Sequence, residues 1–223
     1  MTEALDPQAR RRAAIVDAAR EVFLKNGYGA TTMSAIAARV GGSKTTLWAY
    51  FPDKSALFAA VVDELVERFG QALDMPLDPQ LALQEALSRF GQSLMGIVTQ
   101  PEIVALHRLV VGEAGRFPEL GTLFYERGPR RGKATLAAYL AAKMQQGALR
   151  CGDPEQAARQ FVALCQANSQ QQRLLNLPGA HTDVAGDVAA AVAAFLPAWA
   201  PTATPPAARL ASARSRHRSS AAA

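Results

Sequence analysis

The chain has 223 residues, 49% of them hydrophobic, enough to bury the core of one large domain or two modest ones. No apolar run reaches the roughly 18 residues that cross a bilayer, and the opening MTEALDPQARRR lacks the apolar centre of a secretory leader, so a cytosolic protein with no membrane partner is expected. The formal charge of +5 is uneven: residues 1–54 carry eight Lys/Arg against five Asp/Glu, the segment from 201 carries four Arg and no acid, and the stretch between has a net charge of −2. Basic ends around a mildly acidic body point to one region for nucleic acid and another for something else.

Taken in chain order, residues 8–26 have a helical apolar stripe of Ile15, Ala18, Ala19, Val22 and Phe23, closed by Gly27. Arg10, Arg11 and Arg12 at its start read either as a basic arm for a DNA backbone or as a solvated helix end. Thr31 or Thr32 is placed to cap a helix over 33–40, and a third helix is predicted over 43–50. Pro52 ends it, and Asp53 caps a long fourth helix through Leu57, Val61, Leu65 and Phe69. Five later prolines, Pro79, Pro101, Pro118, Pro129 and Pro154, each open a helical pattern, which predicts helices over 79–98, 101–114, 118–127, 129–146 and 154–175, and a last helix is predicted over 183–196, after the break at Leu177-Pro178-Gly179. Gly147 reads as a C-cap. No strand-like alternation persists, so the fold class is all-α. Residues 197–223, rich in Pro, Ala, Ser and Arg, read as a disordered basic tail.

The stretch from Thr31 to Lys54 is the most informative. Ile36, Ala37 and Val40 form one apolar stripe, Gly41 and Gly42 make a tight turn, and Leu47 with Phe51 anchors the next helix at i, i+4 spacing. Opposite that anchor lie Ser43, Lys44, Thr45, Thr46, Trp48 and Tyr50, which offer a cation, hydroxyls and aromatic groups without one carboxylate. Such a face suits the major groove of double-stranded DNA. Lys44 is the leading base or phosphate contact; Tyr50 is either a phosphate donor or a packing residue, and Ser43 a contact or only a cap.

These residues resemble the TetR family of bacterial regulators. Ile15-Val16 and Ala18-Ala19, Phe23, Gly27, Thr32, Ile36-Ala37, Gly41, Ser43-Lys44, Thr46-Leu47-Trp48, Tyr50-Phe51, Lys54 and Leu57 follow the family pattern in order. The chain departs from it at Gly42, Thr45 and Trp48, so no operator sequence carries over, and Gly42 raises the prospect of a loosened turn. The run LVVGEAGRFPEL at 109–120, followed by FYERGP at 124–129, resembles the AefR-type branch of the family's C-terminal domains. The resemblance implies a three-helix DNA-binding domain at 9–69, with its helix-turn-helix at about 32–51. It further implies a six-helix-type effector-binding and dimerisation domain at 75–196, and a homodimer on a near-palindromic operator. Lys44, Thr45, Thr46, Trp48 and Tyr50 would then face the major groove or its flanking phosphates, and Thr32, Ser34 and Lys54 would meet phosphates.

In the body, Met95, His107, Phe124, Phe161 and Cys165 are polarizable or aromatic groups placed to surround a small-molecule effector. His107, with Arg108 on the apolar run EIVALHRLVV, is the candidate to orient it, set against a core-edge histidine bonded to a carbonyl. Cys165 could also sense oxidants, although nothing near it in sequence lowers a thiol pKa. Cys151 and Cys165, with His107, His181 and His217, have neither disulfide-scaffold nor metal-site spacing, and no cofactor is expected. No G-x-S-x-G, phosphate loop or paired His and carboxylate supports an enzyme. The reading is a sequence-specific DNA-binding transcriptional regulator, a repressor released from its operator by a small-molecule effector. The alternative is a helical ligand-binding or interaction protein with weakened DNA binding.

Overall fold

The structure, a computed structural model, describes residues 6–74, 77–167, 169–179 and 183–201. Among these, eleven helices and no strands are found, so the chain is all-α. No single helix among them is long and apolar enough to cross a membrane.

Helix α1 (Pro7–Asn26) starts with Pro7 at its first turn and closes at Gly27, whose φ of 82° a side chain rarely adopts. Helix α2 (Met33–Val40) is capped by Thr32, whose hydroxyl accepts the Ala35 N–H at 3.2 Å. It ends at Gly41 in the left-handed region, and the Gly42 N–H bonds to the Ala37 carbonyl, closing the turn on itself. Ser43 caps α3 (Lys44–Tyr50) and Asp53 caps α4 (Lys54–Asp74), each through a side-chain oxygen on a first-turn N–H. Ile15, Phe23, Ile36, Leu47, Phe51, Phe58 and Leu65 make one core for these four helices.

That core does not stop at α4. Leu106 and Val110 of α6 (Pro101–Glu113) and Leu120 of α7 (Pro118–Arg127) are buried in it, so the N-terminal head is completed by the body. A second core joins α5 (Leu83–Val98), α8 (Pro129–Gln145), α9 (Pro154–Gln166) and α11 (Val184–Ala198) around Phe90, Met95, Leu140, Phe161, Phe195 and Trp199.

Three boundaries differ from expectation, each for a tertiary reason. The helix predicted from Pro79 begins at Leu83, because α8 claims carbonyls a first turn would need: Lys143 donates to the Pro79 oxygen at 2.8 Å and Tyr139 to that of Leu81 at 3.2 Å. The helix predicted over 154–175 is two pieces, α9 and a short α10 (Ser169–Leu174). Arg108 draws α10 against α6 by donating to the carbonyls of Arg173 and Leu174. The body also runs past 196. Pro197 and Ala198 belong to α11, and Trp199 is 1% exposed with Arg150 over its ring at 4.0 Å. The tail expectation therefore fails for 197–201, and its remainder, 202–223, lies outside the described residues.

Candidate DNA interface and effector cavity

The first site is the outer surface of α2 and α3. Only Leu47 of α3 is buried, so the helix is held by one side and presents the other. Lys44, Thr45 and Trp48 are exposed, Trp48 at 48%, and Thr32 and Ser34 lie exposed at the start of α2. From Thr31 to Pro52 there is no acidic residue, so nothing in this segment repels phosphate. Ser43 accepts the Thr46 N–H at 3.1 Å, and its hydroxyl pairs with that of Thr46 at 2.9 Å. Both hydroxyls thus have structural duties. Tyr50 is partly buried and packs against the head core.

Lys54 is not where the sequence suggested. Its ammonium turns inward, donating to the carbonyls of Tyr28 at 2.8 Å and Thr31 at 3.1 Å, and stands 4.2 Å from the Tyr28 ring. Burial holds its pKa below the ordinary lysine value. Two of its three N–H groups are committed to the turn between α1 and α2, so its charge secures that turn. At the other end of the motif, the Arg11 guanidinium lies against Gly42, where an added Cβ would strike it. Gly42 itself has an ordinary φ, so only Gly41 needs a glycine's freedom.

The head is bound to the body through α6. Near its start, Glu102 faces Arg20 of α1 at 3.6 Å and Arg68 of α4 at 3.4 Å, and Arg20 also bonds Glu64 at 2.8 Å. At its end, the Glu113 carboxylate takes the backbone N–H groups of Tyr28 at 2.5 Å and Gly29 at 2.6 Å. Phe117 then packs edge-on against Tyr28, with centroids 5.1 Å apart. Part of the GEAGRFPEL run is therefore a clasp on the α1–α2 turn.

Between those two ends, α6 walls the second site, a partly open cavity of about 460 Å³ lined by residues of α4 to α10. Leu65 and Val66 of α4, Phe90 and Leu94 of α5, Leu106 and Val110 of α6, Phe124 of α7 and Val162 of α9 form its apolar surface. His107 lines it, half-buried, its ring 5.4 Å from that of Phe124. Burial pushes the His107 pKa below the ordinary histidine value, so the imidazole is neutral at pH 7. It makes no hydrogen bond with a carbonyl or other group among the described residues, while Arg108, its sequence neighbour, is exposed and occupied in holding α10.

Of the five residues put forward for an effector, His107 and Phe124 line the cavity, whereas Met95, Phe161 and Cys165 do not. The reason is helical phase. Phe161 and Cys165 turn to the α5 and α11 side, with Phe161 edge-on to Phe195 at 5.3 Å, and the next position along, Val162, faces the cavity about 100° away. Cys165 is 1% exposed and burial raises its pKa to about 12, so it has no reactive thiolate. Sequence reasoning missed Phe90, Leu94, Val110 and Val162, whose apolar character gave no sign of facing a void, and Lys133, whose charge read as that of any surface lysine.

Residues 15–61 match the family described as "Bacterial regulatory proteins, tetR family", and residues 85–201 match "AefR-like transcriptional repressor, C-terminal domain". The chain is 28% identical over 158 residues to the Bacillus subtilis "Uncharacterized HTH-type transcriptional regulator YhgD", spanning 69% of this chain and 78% of that one. It is 40% identical over 115 residues to the "HTH-type transcriptional activator FasR" of Mycolicibacterium smegmatis, 44% of this chain and 52% of the other. Among solved structures, the "Flavonoid-responsive Regulator FrrA" is 35% identical, with a TM-score of 0.77 over 87% of this chain and 100% of that one. With its helix-turn-helix face, its matched domains and this likeness over most of its length, the chain belongs to the TetR family of DNA-binding transcriptional regulators.

Proposed function

We propose that this regulator is a cytoplasmic, homodimeric repressor that reads a near-palindromic operator and leaves it when a small molecule fills the cavity between α4 and α10. It acts by binding and not by turnover. The observation that carries the reading is the shared wall: Leu65 and Val66 of α4 line the cavity, and α4 is the helix that leads directly out of the reading head. An effector that fits one setting of α4 better than the other shifts the population toward that setting, and repression falls by the difference in affinities. The description of the matched C-terminal family as a transcriptional repressor supports the sign, and the flavonoid response in the name of FrrA supports control by a small molecule.

At the operator, two recognition helices enter successive major grooves about 34 Å apart. Lys44, Thr45 and Trp48 reach base edges or flanking phosphates, and Thr32 and Ser34 meet the backbone. The dimer forms through α9 and α11. Leu164 of α9 is 39% exposed, and Ala189, Ala190, Ala193 and Ala194 leave the outer side of α11 small enough for close helix approach.

Fluorescence anisotropy on duplexes selected from a random library, at two salt concentrations and beside Lys44→Ala, tests this reading. A palindrome bound far more tightly than bulk DNA, with affinity lost in the variant, supports it. Weak, sequence-blind binding indifferent to Lys44→Ala overturns it.

A further inference from the structure

The cavity is selective in its charges. Among the described residues no carboxylate lines it, whereas Arg127, Lys133 and the half-buried His107 do. The two cations differ in what they already hold. Arg127 is paired with Asp63 of α4 at 2.6 Å, and Arg130, one turn earlier on α8, is paired with Glu126. Lys133 has no carboxylate within 4.0 Å among the described residues; its ammonium lies 5.1 Å from the centroid of the Tyr125 ring. An anion arriving at Lys133 therefore gains a charge-assisted contact without breaking an existing ion pair. Such contacts are about twice as strong as those between neutral groups. A cationic visitor meets two positive groups and no partner, and its desolvation goes uncompensated.

The rest of the wall asks for an apolar body. The side chains of Phe90, Leu94, Val110 and Val162 offer no hydrogen bond, and the neutral His107 ring, without a hydrogen-bond partner among the described residues, supplies one donor and one acceptor partway along it. A cavity of about 460 Å³ lies in the range that holds drug-sized ligands, about 300–1,000 Å³.

We propose that the effector is an organic anion with an apolar body, its acid group held at Lys133 and a polar group along its length met by His107. The inference rests on the effector-cavity reading above and narrows it to one chemical class.

The test is isothermal titration of the full chain with matched carboxylic acids, primary amides and amines built on decyl, biphenyl and naphthyl bodies. The acids are expected to bind at least tenfold more tightly than their amides, and the amines more weakly than either. Lys133→Met should bring the acids down to the amides while leaving the amides unchanged, and Lys133→Arg should restore the preference. Lys133 is only half-buried, so neither substitution empties the core. Amides or amines that bind as tightly as the acids, or an acid preference that survives Lys133→Met, overturn the anionic class and leave the effector cavity standing. No binding by any member of the three series overturns both.

Discussion

Glu113 and Gly29 meet so closely that a Cβ built on Gly29 would stand 2.8 Å from the Glu113 carboxylate oxygen, although 84 positions separate them in the chain. The contact puts the end of α6 directly on the turn that joins the first two helices of the reading head. Glu113→Gln keeps the size of the side chain but turns an N–H toward a backbone N–H, leaving one donor unsatisfied. The expected cost is about 1–3 kcal/mol. Hydrogen exchange at the Tyr28 and Gly29 amides should quicken and operator affinity should fall. Unchanged exchange at those two amides would remove the clasp from the account.

Gly41 and Gly42 are adjacent but answer to different constraints. Gly41→Ala forces a side chain into the left-handed region and is expected to cost about 1–2 kcal/mol in any background. Gly42→Ala has no backbone penalty; its cost comes from displacing Arg11. In an Arg11→Ala background it should therefore become neutral or slightly stabilising, through reduced freedom of the unfolded chain. A double-mutant cycle by urea denaturation checks this, and an additive result would count against it.

Trp199 closes the body from beyond the expected end of its last helix. Its indole N–H donates to Gln160 at 2.9 Å, its ring stacks on Phe195 at 6.0 Å, and its carbonyl accepts the Arg150 backbone N–H at 3.0 Å. Trp199→Ala should cost about 3–5 kcal/mol, as deletion of a fully buried aromatic ring does. A chain ended at 196 should lose at least as much. Thermal melts of the two variants beside the full chain decide the point.

The His107 pKa lies below its ordinary value because the ring is buried, so between that folded value and the unfolded value of about 6.5 the unfolded chain binds more protons. Stability contributed by the neutral ring is full above the unfolded value and is lost as pH falls through the folded one. His107→Phe should flatten that part of the stability curve. Denaturant titrations from pH 7.5 down to 5 measure it, and an identical slope in the variant would show that another group is responsible.

Much of the head was legible because local rules decide it. Thr32, Gly41, Ser43 and Asp53 are caps by chemistry alone, and the Leu47 and Phe51 spacing allows one buried face. Lys54 was misplaced because its carbonyl partners, Tyr28 and Thr31, come from a turn whose approach no pattern encodes. In the body the cavity was legible only in part. His107 stood out as a polar group in an apolar run, but Met95, Phe161 and Cys165 share the composition of lining residues while occupying a different phase of their helices. Which apolar stripe meets a neighbour and which meets a void depends on how seven helices are set against one another. A single sequence does not state that setting.

Recognition helix α3 has seven residues, of which only Leu47 is buried. Lys44, Thr45, Trp48 and Ala49 project from the head without supporting it. Under the operator contacts proposed above, replacing them alters what is read at almost no cost to what folds, since exposed substitutions away from caps usually change stability by less than about 0.5 kcal/mol. Preference for a new operator can therefore drift one base at a time while the cavity and the clasp keep their form. The same separation lets an engineer retarget this head to another promoter without redesigning the sensor behind it.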